Sequence, residues 1–143
     1  MAATAPTSGS GRDATAAASK PWMLWTGRVF SAIPVLMMIM SATMKLTHSP
    51  QFIEQWVNKF GYPASLAVCI GLLELACVAI YVIPKTAVLG AVLLTGYLGG
   101  AVATHTRIGD PSAIGPVIFG VLVWGGLYLR DERIRDLLPL RKR

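Results

Sequence analysis

Residues 64–83 read ASLAVCIGLLELACVAIYVI, an unbroken apolar run with one charged side chain, Glu74. A bilayer core of about 30 Å is crossed by about 20 helical residues, so this run is long enough to span it. Three further apolar segments lie at 25–44, 87–104 and 113–129. In hydrocarbon every backbone N–H and C=O must be paired within its own segment, which makes these helices rather than lone strands. Composition agrees. Of the 143 residues, 54% are hydrophobic and 14% charged, against about 25% charged in an average soluble domain. Four such segments exceed what so short a chain can bury in a core of its own, so lipid must cover them. The expected fold is all-α, a polytopic membrane protein built as a four-transmembrane-helix bundle.

The boundaries carry ordinary stop signals. Pro84-Lys85 leaves almost no loop between the second and third segments, which predicts a tight helical hairpin. Arg107-Ile108-Gly109-Asp110-Pro111 parts the third from the fourth, and Arg130-Asp131-Glu132-Arg133 closes the fourth. Residues 1–20, rich in Ala, Thr, Ser and Gly without an apolar period, are expected to be a disordered tail. They do not read as a signal peptide, because the first apolar segment is too long for a cleaved hydrophobic region. The membrane domain is expected over 21–138, with a basic tail at 139–143.

The first loop differs from the others. From Ser49 to Gly61 it reads SPQFIEQWVNKFG, with Ser49 suited to an N-cap, Pro50 to the first helical position and Gly61 to the position past the end. Phe52, Ile53, Trp56, Val57 and Phe60 recur at helical spacing. This predicts a short helix between the first two spans, lying in the membrane interface or capping the bundle.

Basic residues in short loops set orientation. With the N-terminus inside, Arg12, Lys20, Arg28, Lys85, Arg130, Arg133, Arg135, Arg141, Lys142 and Arg143 are internal, and Lys45, Lys59 and Arg107 are external. The imbalance predicts a multi-pass protein of the inner (plasma) membrane with both termini cytoplasmic. The cations sit between and outside the apolar runs rather than in one stripe, so the net charge of +6 does not point to nucleic acid. The bilayer is the expected partner.

Small residues let helices approach closely in lipid. Ala67 and Gly71 in the second span and Gly96 and Gly100 in the third form four-apart pairs. They are expected to pack the bundle internally, with a homo-oligomer as the alternative.

Few polar groups remain to be explained. An acidic residue at the depth of Glu74 costs about 2.5–3.5 kcal/mol, so it must face protein or a wet cavity, pair with a cation, or be protonated. Ala67, Gly71, Glu74 and Val78 share one stripe, which is expected to face the bundle. Lys45 is the natural partner. Ser31, Pro34, Met38, Ser41, Ala42 and Lys45 follow one face of the first helix, and Lys45 lies about 10 Å from its midpoint. Pairing to Glu74 is direct or through a water; alternatively Lys45 is a snorkelling lysine at a helix end. His105 ends the third span, out of phase with the glycines, and either joins Lys45 and Glu74 in a polar pocket or sits at the interface. Arg107 belongs to the same candidate pocket. Cys69 and Cys77 are about 12 Å apart along one helix, too far for a disulfide, and read as buried structural cysteines. No nucleophile–base pair, phosphate loop or metal-ligand cluster appears, so no metal is expected, and the sequence leaves enzymatic activity undecided.

The stretches SATMKL (41–46), GYPASLAVCIGLLEL (61–75) and TAVLGAVLLTGYLGGAVATHTRIGDP (86–111) resemble the DoxX-like family of small bacterial membrane proteins, over roughly residues 27–138. Two departures stand out: Ala42 where the family often has Gly, and a shorter, less polar start to the fourth span, PSAIGPV. The resemblance implies a four-helix membrane bundle. It associates the chain with thiosulfate and quinone oxidation or with complexes that handle oxidative stress. The implied role is an accessory or anchoring subunit of a membrane redox system, beside a redox enzyme subunit, with quinone as a ligand by association alone. The rival expectations are a small-solute or proton-coupled transporter and a purely structural membrane protein.

Overall fold

The computed structural model describes residues 21–137. The tails expected at 1–20 and 139–143 lie outside the described residues. Four long helices are each long and apolar enough to cross a membrane. They are α1 (Pro21–Leu46), α3 (Ser65–Val82), α4 (Ala87–Arg107) and α5 (Ile114–Arg130), with α5 preceded by a single 3₁₀ turn at Pro111–Ala113. The short helix α2 (Pro50–Glu54) follows α1, and α6 (Glu132–Leu137) follows α5. The spans form a ring in which α1 lies against α3 and α5, and α4 lies against α3 and α5. Four passes return the chain to the end where it began, so one end of the bundle carries both described termini. The other is called here the far end.

Each helix turns several large apolar side chains outward, as a lipid solvent permits. Leu36 and Met40 of α1, Leu72 of α3, Leu89 of α4 and Val121 of α5 are all exposed. The inward stripe of α3 is Ala67, Gly71, Glu74, Cys77, Val78 and Tyr81, which contains the stripe expected from the sequence. On α1 the buried residues are Gly27, Ser31, Pro34, Met38, Ala42 and Lys45.

Small residues close the terminus-bearing end. A Cβ added at Gly27 would stand 3.0 Å from the Gly126 carbonyl and the Arg130 amide, so α1 and α5 touch backbone to backbone there. A Cβ at Gly90 would overlap the backbone of Tyr81, which seals the α3–α4 hairpin beside its tight turn. Tyr81 is fully buried. Its hydroxyl donates to the Val123 carbonyl at 2.9 Å, which leaves it to accept from the Ser31 hydroxyl at 2.9 Å. One phenol thus ties α1, α3 and α5 together. Arg130 lies over the Tyr81 ring at 4.8 Å and completes that end.

The glycines expected to pack α4 take a different place. Gly96 and Gly100 are exposed, and a Cβ at either would meet no atom within 4 Å. The helix packs instead through Ala87, Gly90, Ala91, Leu94 and Leu98, a face rotated away from the glycine pair. Gly71 packs as expected, with an added Cβ 3.1 Å from Lys45 Cβ. Of the two cysteines, Cys77 is buried, whereas Cys69 lies on the outward face of α3.

Candidate functional site

The hairpin of α3 and α4 is closed at Tyr81 and Gly90, whereas a Cβ at Gly96 or Gly100 would meet no neighbour. Beyond that contact lies a cavity of about 860 Å³, with walls from α1, α3, α4 and the first turns of α5 and a roof made by the segment after α1.

That segment explains its own shape. Pro50 starts α2 with a fixed φ and no orphan N–H. The next turn, Gln55–Lys59, widens to a π-helix, with the Phe60 amide donating to the Gln55 carbonyl at 3.1 Å. Gly61 ends it at φ +71°, a conformation that favours glycine. Phe52, Trp56 and Phe60 fall four apart and face the cavity. Val57, expected on the same face, is turned out and exposed, whereas Gln55 joins the cavity side. Trp56 stacks between Phe52 (5.3 Å) and Tyr62 (5.0 Å), and its indole N–H donates to the Pro63 carbonyl at 3.1 Å. The segment caps the bundle.

The polar groups of the cavity come from three helices. Lys45, in the last turn of α1, donates to Glu74 Oε2 at 2.9 Å, with both side chains almost wholly buried. The ammonium also reaches Ser41 Oγ at 2.5 Å and stands 5.3 Å from the Phe52 ring centre. The pairing expected from the sequence is therefore direct. Gly71 makes it possible, since a side chain there would push α1 away at Lys45. Tyr97 of α4 lines the same cavity beside the pair. The sequence reading passed over Tyr97 as part of the Gly96–Gly100 motif. The available signal was its spacing of eight from His105, which puts both on one face.

His105 lines the cavity at its far rim but does not reach Glu74. Its Nδ1 lies 3.0 Å from Asp110 Oδ2, and Phe60 meets its ring edge-on at 5.0 Å. Asp110 in turn takes Lys59 at 2.6 Å and the Ser112 amide at 2.9 Å. The Lys59 ammonium, then the Ser112 amide and His105, hold the Asp110 carboxyl well below the usual carboxylate range. Arg107 does not join the cavity wall. It donates to the Phe60 carbonyl and lies 5.4 Å from the Tyr62 ring centre, so it straps the roof segment from outside. Lys59, Asp110 and Arg107 together form a latch between roof and bundle. The sequence reading missed the roles of Lys59 and Asp110, because nothing in one chain's pattern pairs positions so far apart.

Among the described residues no group of three His, Cys, Asp or Glu side chains converges as a metal site. The cavity instead offers an ammonium, a carboxylate, a phenol and an imidazole inside a mostly apolar wall, which suits hydrogen bonding to an organic molecule.

These features define a polytopic α-helical membrane protein with a charged pair set in a roofed cavity. The chain belongs to the DoxX-like family, whose family model matches residues 29–126. No curated protein and no solved structure matches it significantly.

Proposed function

We propose that the chain is an accessory or anchoring subunit of a membrane redox system that receives a quinone head group at the polar end of the cavity. The observation that carries this reading is the buried Lys45–Glu74 pair on the wall of a cavity of about 860 Å³. Pockets of about 300–1,000 Å³ with apolar walls and a few convergent polar groups are typical of small-molecule sites. Lys45 and Tyr97 supply donors to carbonyl oxygens, and Glu74 accepts from the hydroxyls of the reduced ring. Family association supplies the redox context. The basic residues gathered at the terminus-bearing end support cytoplasmic termini, with the cavity in the outer half of the membrane.

Glu74→Gln tests the reading. Glutamine keeps the size and an acceptor oxygen but leaves the buried Lys45 ammonium without its counter-charge, so the variant is expected to be less stable, and its growth is scored against a parent expressed at the same membrane abundance. A quinone- or stress-dependent growth phenotype should be lost in it. Wild-type growth at matched abundance would refute the reading.

A proton-coupled carrier is the weaker reading. It needs a path from Glu74 to the terminus-bearing end, and Tyr81, Leu94, Val123 and Leu127 fill that space at 0–1% exposure. pH-dependent solute flux in proteoliposomes would restore it.

A further inference from the structure

The cavity wall between α3 and α4 carries most of the lining residues that are also exposed; α1 adds Met37 and the roof Gln55. Leu66, Ile70 and Leu73 on α3 and Leu93, Tyr97 and Gly100 on α4 repeat with the same steps of four and three, and all six line the cavity. Leu66, Leu73 and Leu93 are nonetheless exposed at 42%, 51% and 39%, and Gly100 is exposed as well. Side chains that both line the interior and face the outside mark an opening. It runs for about 10 Å along each helix. Its depth follows from two features already described: the Tyr81–Gly90 contact stops it at one end, and Gly100, with no atom within 4 Å of an added Cβ, keeps it wide at the other. Both stripes belong to membrane-spanning helices, so the opening gives onto lipid rather than water.

We infer that this cleft is a binding site for the hydrocarbon tail of a lipid-phase quinone, and that the molecule reaches Lys45 and Glu74 sideways from the bilayer. The inference rests on the quinone reading above and adds to it the route and the tail's seat. Two observations select this occupant. The cleft is continuous with the cavity that holds the charged pair, so one molecule with a polar head and an apolar tail fills both. The roof narrows the other approach to the edge at Gln55: Trp56 and Phe60 are at most 9% exposed, and Lys59 and Arg107 fasten them down. An annular phospholipid chain is the competing occupant, and it lacks a head suited to the pair at that depth.

The test uses the full chain in phosphatidylcholine nanodiscs and two probes with fully substituted rings, so that Cys77 cannot add to them. One is duroquinone, which has no tail. The other is a decyl-tailed benzoquinone with a diazirine at the tail end. Head binding is read from quenching of Trp56 in a Trp22→Phe, Trp25→Phe, Trp124→Phe background. Light should attach the tail to peptides covering 66–73 and 93–100, and an excess of unlabelled tailed quinone should remove that labelling. Gly100→Phe should weaken the tailed probe by about tenfold, the value of a few methylenes withdrawn from contact, while duroquinone binding stays unchanged. Gly99→Phe is the control, because Gly99 is equally open but lies outside the cavity wall, and it should bind both probes as the parent does. Equal labelling of the outward faces around Leu36 and Val121, or full affinity in Gly100→Phe, would overturn the tail site and leave the head site standing. Absence of quenching by duroquinone in the parent would remove the head site, and the tail site with it.

Discussion

At the terminus-bearing end, Gly27 and Gly126 bring α1 and α5 into backbone contact and Gly90 admits the backbone of Tyr81; from the middle of α4 towards the far end, Gly96 and Gly100 stand clear of every neighbour. The residue type is the same and the outcome is opposite. Where a large anchor faces the glycine, as Tyr81 faces Gly90, the missing side chain becomes close packing. Where no neighbour faces the glycine, it becomes an opening. The closed end buries the Tyr81 phenol, with both its hydrogen bonds made, and the Ser31 hydroxyl bonded to it. The open end holds the buried charges. Tight packing at one end gives the frame that a site at the other needs, and the roof is held by an aromatic stack and a few polar contacts.

The sharpest way to break this contrast is at the charged pair. Lys45→Met leaves the Glu74 carboxylate buried without its cation, and stranding one member of a buried pair costs about 3–5 kcal/mol. Abundance in the membrane and the melting temperature in detergent should both fall clearly. Adding Glu74→Leu to Lys45→Met should restore most of the loss, since matched apolar residues replace a buried pair at little cost. A stable Lys45→Met protein would mean that the far end is held by its roof and not by the pair.

A smaller effect compares the glycines directly. Gly90→Leu or Gly126→Leu forces helix pairs apart and should cost about 1–3 kcal/mol or more, as overpacking does. Gly96→Leu should stay within about 0.5 kcal/mol, the range of surface changes. Melting curves of the three variants in one detergent decide it, and equal losses would erase the distinction between the two ends.

These glycines also show how far the sequence was legible. The four spans, the α1 stripe and the α3 stripe follow from hydropathy and helical period alone, and those two stripes meet at Lys45 and Glu74. Period fixes which residues share a face. It does not fix how closely two faces approach, so the spacing of Gly96 and Gly100 reads as packing until the distance between α3 and α4 is known. Gly90 was visible only as a lone glycine, since its partner is a tyrosine on another helix. Gly27 carried a usable signal in Ser31, four residues on, a small-residue pair of the kind recognised at Ala67 and Gly71. The widened turn at Gln55–Lys59 had no signal, and it is what turns Val57 out and keeps Trp56 and Phe60 over the cavity. The latch was hidden because Lys59 and Asp110 come from opposite sides of two transmembrane passes.

The smallest expected effect lies in that latch, and it separates the roof of the open end from its frame. Asp110→Asn removes the Lys59 ion pair but spares the closed end. The melting temperature should barely move, while acrylamide quenching of Trp56, in a chain with the other tryptophans replaced, should rise by roughly threefold, since a half-exposed ion pair holds only weakly. The pH dependence has a definite sign. The folded carboxyl lies below its ordinary value of 3.8, so its contribution is complete above that value and is lost as pH falls below it. Trp56 should be shielded equally at pH 7 and pH 5, with shielding falling only under more acid conditions. A rise in quenching between pH 7 and pH 5 that survives in Asp110→Asn would assign control of the roof to another group. A roof indifferent to both changes would show that the aromatic stack of Phe52, Trp56 and Tyr62 holds it unaided.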